Sequence, residues 1–153
     1  MGYNVSDIIE KALKIAIKRK AIYETIGHEN CSDISFRTIS KILVKELNKT
    51  IGFYEMLLKE VSDVEFEEID FYTYDKMSSL ISDFNNRVKT VDLNNGGDFW
   101  EYSLGLEKAV YSLLVDIQGR FINNTSDVHT KTYKILSEMI TNKAEQIAMM
   151  EKV

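Results

Sequence analysis

Residues 36–47 read FRTISKILVKEL and residues 133–144 read YKILSEMITNKA, and laid over one another they carry the same apolar pattern 97 positions apart. Phe36 answers to Tyr133, Arg37 to Lys134 and Ser40 to Ser137, while Ile39, Ile42 and Leu43 answer to Leu136, Met139 and Ile140. Run without gaps over residues from about 10 to 53, the same offset sets Glu10-Lys11-Ala12 against Glu107-Lys108-Ala109, Arg19 against Asp116, and Glu46 against Lys143. Literal identities are few, so the repeat lives in the spacing of the apolar side chains. Spacings of three and four belong to one face of a helix, and the echo therefore predicts a duplicated pair of amphipathic helices.

Working outward, a first helix is expected from about Val5 to Ile26, with Ile8, Ala12, Ile15, Ala16, Ile22, Tyr23 and Ile26 on one side. Asn4 or Ser6 is its candidate cap and Gly27 its expected end. Beyond the polar turn His28-Glu29-Asn30-Cys31, a second helix starts near Ser32 or Asp33 and carries Phe36, Ile39, Ile42, Leu43, Leu47, Tyr54, Leu57 and Val61. At about 1.5 Å per residue it spans roughly 45 Å. The turn signal Asn94-Asn95-Gly96-Gly97-Asp98 precedes a third long helix through Phe99, Tyr102, Leu106, Val110, Leu113, Ile117 and Phe121. After Asn123-Asn124-Thr125-Ser126 a fourth runs from about Asp127 through Tyr133, Leu136, Met139, Ile140, Ile147 and Met150.

Between the hairpins, residues 62 to 98 break the pattern. An acidic stretch with Phe66, Phe71, Tyr72 and Tyr74 comes first, then a minor helix with Met77, Leu80, Ile81, Phe84 and Val88. The aromatics are expected to pack over the side of the helices, because apolar residues at helical spacing usually bury. Two hairpins joined by one long connection make an all-α, four-helix bundle with a crossover that carries a short extra helix. All 153 residues are expected in this single domain.

Composition narrows the function classes. With 44% hydrophobic and 28% charged residues and no proline, the chain can bury a core of uninterrupted helices. A net charge of −5 and a pI near 5.1 argue against a nucleic-acid partner, which selects basic surfaces. A single Cys provides neither a disulfide framework nor a four-thiolate metal site. No apolar stretch is long enough to span a bilayer and no signal-peptide pattern opens the chain, so a cytoplasmic protein without a membrane partner is expected. There is no glycine-rich phosphate loop, and the Ser and His residues show no nucleophile–base spacing.

Charges inside the apolar stripes are the candidate site. Projected at about 100° per residue, Arg19 lies near the centre of the first stripe and Lys143 near the centre of the fourth. Glu46 falls within the second, with Lys49 at its edge, Asp116 at the edge of the third and Gln146 near the border of the fourth. Unpaired charge in a core costs several kcal/mol, so these groups must pair, admit water or reach outward. The expected arrangement is a central cluster in which Arg19 and Lys143 compensate Glu46 and Asp116. The alternative is that the lysines extend to solvent and one pair alone is buried.

This architecture, with those positions, resembles the rubrerythrin-like branch of the ferritin-like superfamily, whose members hold two metal ions between a Glu from helices one and three and a Glu-x-x-His from helices two and four. The resemblance covers nearly the whole chain and rests on pattern. It places Arg19 where helix one has its Glu, reads Glu46-Leu47-Asn48-Lys49 with Lys49 in place of the His, offers Asp116 on helix three, and reads Lys143-Ala144-Glu145-Gln146 with Lys143 and Gln146 in place of Glu and His. His28 and His129 sit in or beside turns and are not ligands. Cations with no lone pair to offer oppose a di-iron site, which needs several carboxylates.

The resemblance therefore implies a non-catalytic protein with neither cofactor nor metal, with a structural or interaction role and a homodimer or protein partner formed through residues 62–98. The competing reading is a rubrerythrin-class enzyme that reduces peroxide or oxidises ferrous iron, with iron held by unusual ligands. A third is a helical module that binds an apolar small molecule.

Overall fold

The structure, a computed structural model, describes residues 2–152. It is all-helical: α1 spans Val5–Glu29, α2 Ile34–Ser62, α3 Phe71–Arg87, α4 Gly96–Phe121 and α5 Lys131–Glu151. A single 3-10 turn, Thr125–His129, precedes α5.

Each helix begins where a short polar side chain takes up the free N–H groups of its first turn. Asn4 accepts from the Ser6 N–H at 2.8 Å while Asp7 accepts from the Asn4 N–H at 2.9 Å, a reciprocal capping box. Asp33 accepts from a first-turn N–H of α2, as do Asp70 for α3, Asn95 for α4 and Thr130 for α5, without the reciprocal bond. The fourth long helix starts later than its apolar pattern suggests. Asn124 and Asp127 cap the 3-10 turn between them, and the chain enters the α conformation only after Thr130.

Gly27 does not end α1, which continues to Glu29. It is buried instead against α2, where an added Cβ would fall 2.3 Å from Ser40 Oγ, so its role is to let two helices approach closely. Beside it the Ser40 hydroxyl donates to the Tyr23 carbonyl at 3.0 Å, which ties the first hairpin together. In the second hairpin the Gln118 amide donates to the Tyr133 carbonyl at 3.3 Å and to Ser137 Oγ at 2.7 Å.

α1 packs along α2 and α4 along α5, and α3 lies against α1 and α4. One core cluster draws residues from all five helices, among them Tyr23, Leu47, Met77, Phe99 and Met139. The aromatics of the crossover divide, contrary to the expectation that they all pack. Phe66 and Tyr74 are half-buried, whereas Phe71 is 68% exposed and Tyr72 69% exposed on the first turn of α3. Ile69, Met77, Ile81, Phe84 and Val88 cover the helices in their place. Ile42, expected in the second stripe, is also exposed.

The start of the crossover is clasped to both hairpins. The Ile69 N–H donates to the Tyr3 carbonyl at 2.7 Å, an isolated β-bridge that ties the strap to the N-terminal segment. Glu67 reaches the other hairpin and accepts from the Lys131 N–H at 3.0 Å, the Thr132 N–H at 2.8 Å and Thr132 Oγ1 at 3.0 Å. Partial burial pushes the Glu67 carboxyl up, but the backbone N–H groups at this helix start more than offset it and hold the carboxyl below its usual range.

Candidate functional site

The buried stripe of α4 reads Phe99, Ser103, Glu107, Val110, Leu114, Ile117, Phe121, at spacings of four, four, three, four, three and four. Glu107 is the carboxylate at its middle. Across from it α1 presents Arg19 between Ile15 and Ile22, and α5 presents Lys143 between Met139 and Ile147. Arg19 is 1%, Glu107 3% and Lys143 1% exposed, so three ionisable side chains meet out of reach of water.

Glu107 holds both cations. Arg19 Nη2 donates to its Oε1 at 2.9 Å and more weakly to its Oε2 at 3.3 Å, and Lys143 Nζ donates to Oε2 at 2.6 Å. The network then runs outward. Lys143 Nζ donates to Gln146 Oε1 at 2.5 Å, and Gln146 Nε2 donates to the Glu46 carbonyl at 3.3 Å and to Thr50 Oγ1 at 3.3 Å. A shallow groove of about 150 Å³ lies outside this last pair, lined by Glu46, Lys49, Thr50 and Gln146 but not by Lys143 or Glu107.

The electrostatics follow from counting charge: two cations share one anion, which leaves an excess of one positive charge in the core. Burial pushes Lys143 down and Arg19 adds to that, while Glu107 opposes it, and the balance leaves the ammonium at about 8, far below an ordinary lysine. Burial pushes Glu107 up, but Arg19 and Lys143 outweigh it and hold the carboxyl below its usual range. Tyr23 and Tyr54 flank the cluster. Burial is the main reason that both phenols are pushed up, Tyr54 to about 12 and Tyr23 further. Arg19 Nε and Tyr23 Oη are buried without a hydrogen-bond partner, so the cluster is not fully satisfied by protein atoms.

Of the six positions singled out in the sequence, three come together: Arg19, Lys143 and Gln146. Glu46 and Asp116 are not the central carboxylates. The Glu46 side chain turns to the surface, where Lys49 Nζ donates to it at 3.1 Å; Glu46 joins the hydrogen bonds of the network through its carbonyl, while its carboxylate acts on Lys143 only as a weak attraction from a distance. Lys49 is exposed, and Asp116 is exposed beside α3 in a groove on the outer face of α4. The carboxylate that replaces both is Glu107. Its signal was present in the spacing just quoted, but Tyr102, Leu106 and Leu113 form a rival stripe about 75° around the same helix. That rival places Asp116 at its edge and Glu107 off centre. The three rival residues are half-buried, being large enough to cover the flank without reaching the middle.

The donor set does not fit a di-iron centre. A single carboxylate stands at the middle, and both of its oxygens already accept from cations. Among the described residues no three His, Cys, Asp or Glu side chains stand close enough to share a metal ion. His28, His129 and Cys31 are exposed and distant from the core. No helix among the described residues is long and apolar enough to cross a membrane. Neither a scan of protein-family models nor searches of curated proteins and of solved structures return a match to this chain.

Proposed function

We propose that this chain is a metal-free bundle of the rubrerythrin-like, ferritin-like kind, non-catalytic, with a structural or interaction role and a tendency to pair with a second copy. The observation that carries the reading is Glu107 held between Arg19 and Lys143 at mid-bundle. In the resembling family that position holds carboxylates and imidazoles around two metal ions. Here an ammonium and a guanidinium supply positive charge at the place where metal cations would supply it, and the remaining carboxylate is spent on them. Gln146, standing where a histidine ligand is expected, accepts from the ammonium through its oxygen and ties α5 to α2 through its nitrogen.

The self-pairing reading is supported by the groove between α3 and α4. It measures about 460 Å³, has Leu80, Phe84 and Leu113 among its lining and carries both signs of charge, Asp83 and Asp116 with Arg87. A two-fold arrangement sets a patch against itself, and mixed charge permits that without repulsion.

The test is metal content. Protein purified from iron-supplemented cells and dialysed against a weak chelator is expected to hold less than one equivalent of iron, manganese or zinc and not to speed peroxide consumption. Two tightly held ions per chain would sink the metal-free reading. Light scattering is expected to report a dimer at high micromolar concentration, and a monomer there removes the self-pairing part alone.

A further inference from the structure

The α1 start, the α2 end and the crossover enclose an open groove of about 560 Å³. Its apolar part includes Tyr3, Val64 and Phe66, of which Tyr3 and Val64 are exposed. Tyr3 carries that surface onward: its ring stacks on Tyr74 at 3.9 Å and lies 6.3 Å from Phe71, itself largely exposed. The groove itself is more polar than apolar, and what marks this face is the group of exposed side chains Tyr3, Val64, Phe71 and Tyr72 beside it.

Charge decides what it takes. The lining carries Glu10, Glu65 and Glu68, all exposed, and no Lys, Arg or His. Around it, residues 60–75 hold seven Asp and Glu and no basic residue, and Lys131, which reaches this run from α5, gives its Nζ to the Glu65 carbonyl at 3.2 Å. Glu67 and Asp70 in that run are committed to helix starts, but Glu10, Glu65 and Glu68 form no side-chain ion pair within the described chain. A second copy is a poor occupant, since it would set carboxylate against carboxylate. A single divalent ion is also a poor one, because the carboxylates do not converge on one point. Separated negative charges around an apolar, aromatic floor match a chain with separated positive charges and apolar side chains between them. On the adjoining first turns of α3, outside the groove, Lys76 Nζ lies 4.2 Å above the Tyr72 ring.

We infer that this groove docks a basic, amphipathic segment of a partner protein, with Lys or Arg side chains against Glu10, Glu65 and Glu68 and apolar side chains against Tyr3, Val64 and Phe66. The inference deepens the interaction reading and is independent of the metal content that tests the bundle itself.

The experiment is fluorescence anisotropy on the full chain with three labelled twelve-residue peptides: alternating Lys and Leu, the same with Glu for Lys, and Lys alternating with Ser. Saturable binding of the first is expected, weakened about tenfold or more in each of the other two. Glu65→Lys with Glu68→Lys should weaken it by a similar factor, as should Val64→Ser with Phe71→Ser. Glu24→Lys with Glu138→Lys, the same charge change on exposed positions elsewhere, should leave it nearly unchanged. Circular dichroism checks that each variant keeps its helix content, and Glu65→Gln with Glu68→Gln serves if the reversal does not. No saturable binding of the Lys and Leu peptide, or an equal loss from the distant reversal, overturns the inference.

Discussion

Removing Glu107 is the most informative perturbation of the core, because the three charged side chains are not equivalent. The parent cluster carries one excess positive charge. Lys143→Met or Arg19→Met brings the sum to zero and leaves Glu107 still paired, whereas Glu107→Leu leaves two cations with no anion. At an effective dielectric of about 20, a contact pair of opposite charges attracts by about 4 kcal/mol. Glu107→Leu loses two such contacts, at 2.9 and 2.6 Å, and exposes the Arg19–Lys143 repulsion. Lys143, already near 8, limits the cost by giving up its proton. The expected loss is then that of a broken buried pair, about 3–5 kcal/mol.

Lys143→Met should cost under about 1 kcal/mol: it loses the contact with Glu107 and the hydrogen bond to Gln146, but it no longer buries an ammonium beside Arg19, which still pairs Glu107. Arg19→Met should fall between the two, and replacing all three by Met, Leu and Met should leave the protein as stable as the parent or about 1–4 kcal/mol more so. Urea unfolding followed by far-ultraviolet circular dichroism reads these differences from the shift in midpoint at constant slope. A loss under about 1 kcal/mol for Glu107→Leu, the range of exposed ion pairs, would refute the buried triad, and so would equal losses for Glu107→Leu and Lys143→Met.

Two further predictions concern pH and packing. Lys143 releases its proton near 8 in the folded protein but only near 10.5 when unfolded, so the unfolded chain binds more protons between those values and stability should rise from about pH 8 towards 10. Above 10 the trend should reverse, because the folded state keeps Tyr54 and Tyr23 protonated after the unfolded state has released them. On the acid side, Glu107 contributes stability that is present above its unfolded value of 4.5 and lost as pH falls through its lower folded value. Melting temperatures across pH 3–11 check all three arms, and the rise above 8 should be absent from Lys143→Met. Gly27→Ala should cost about 1–3 kcal/mol, because the new methyl would meet Ser40 Oγ at 2.3 Å and Ser40 Cβ at 2.5 Å, and Ser40→Gly should restore part of that. By contrast Gly52→Ala, Gly105→Ala and Gly119→Ala meet nothing within 4 Å and should each stabilise by about 0.5–1 kcal/mol in the same urea assay.

The helices were legible because their signals are local. Asn4, Asp33 and Asn95 each satisfy an N–H group just after them, and stripes of three and four carry the pattern onward, whereas the caps Asp70 and Thr130 were not read and the last helix was started too early, near Asp127. Arg19 and Lys143 were legible for the same reason, as lone cations at the centre of apolar stripes. Glu107 was hidden by a choice between two faces of one helix, a choice that depends on which other helices pack there. Gly27 misled because a glycine near a helix end reads as a stop, and its true constraint is Ser40 on the neighbouring helix. Phe71 and Tyr72 were read as packing residues because apolar residues at helical spacing usually bury, but in this segment Ile69 and Met77 take the buried positions.

The chain of bonds from Arg19 through Glu107, Lys143 and Gln146 to the Glu46 carbonyl begins on one hairpin, crosses the other and returns to the first. Apolar side chains tolerate one hairpin sliding along the other by a helical turn of about 5.4 Å, since Leu meets Ile as readily as Val. A guanidinium and an ammonium that must both find the same carboxylate do not. The polar core therefore acts as an index pin that sets the axial alignment of the two halves. A chain with that pin replaced by Met and Leu would keep or gain stability yet sample more than one alignment, with broadened amide resonances along α4 and α5 as the mark of it.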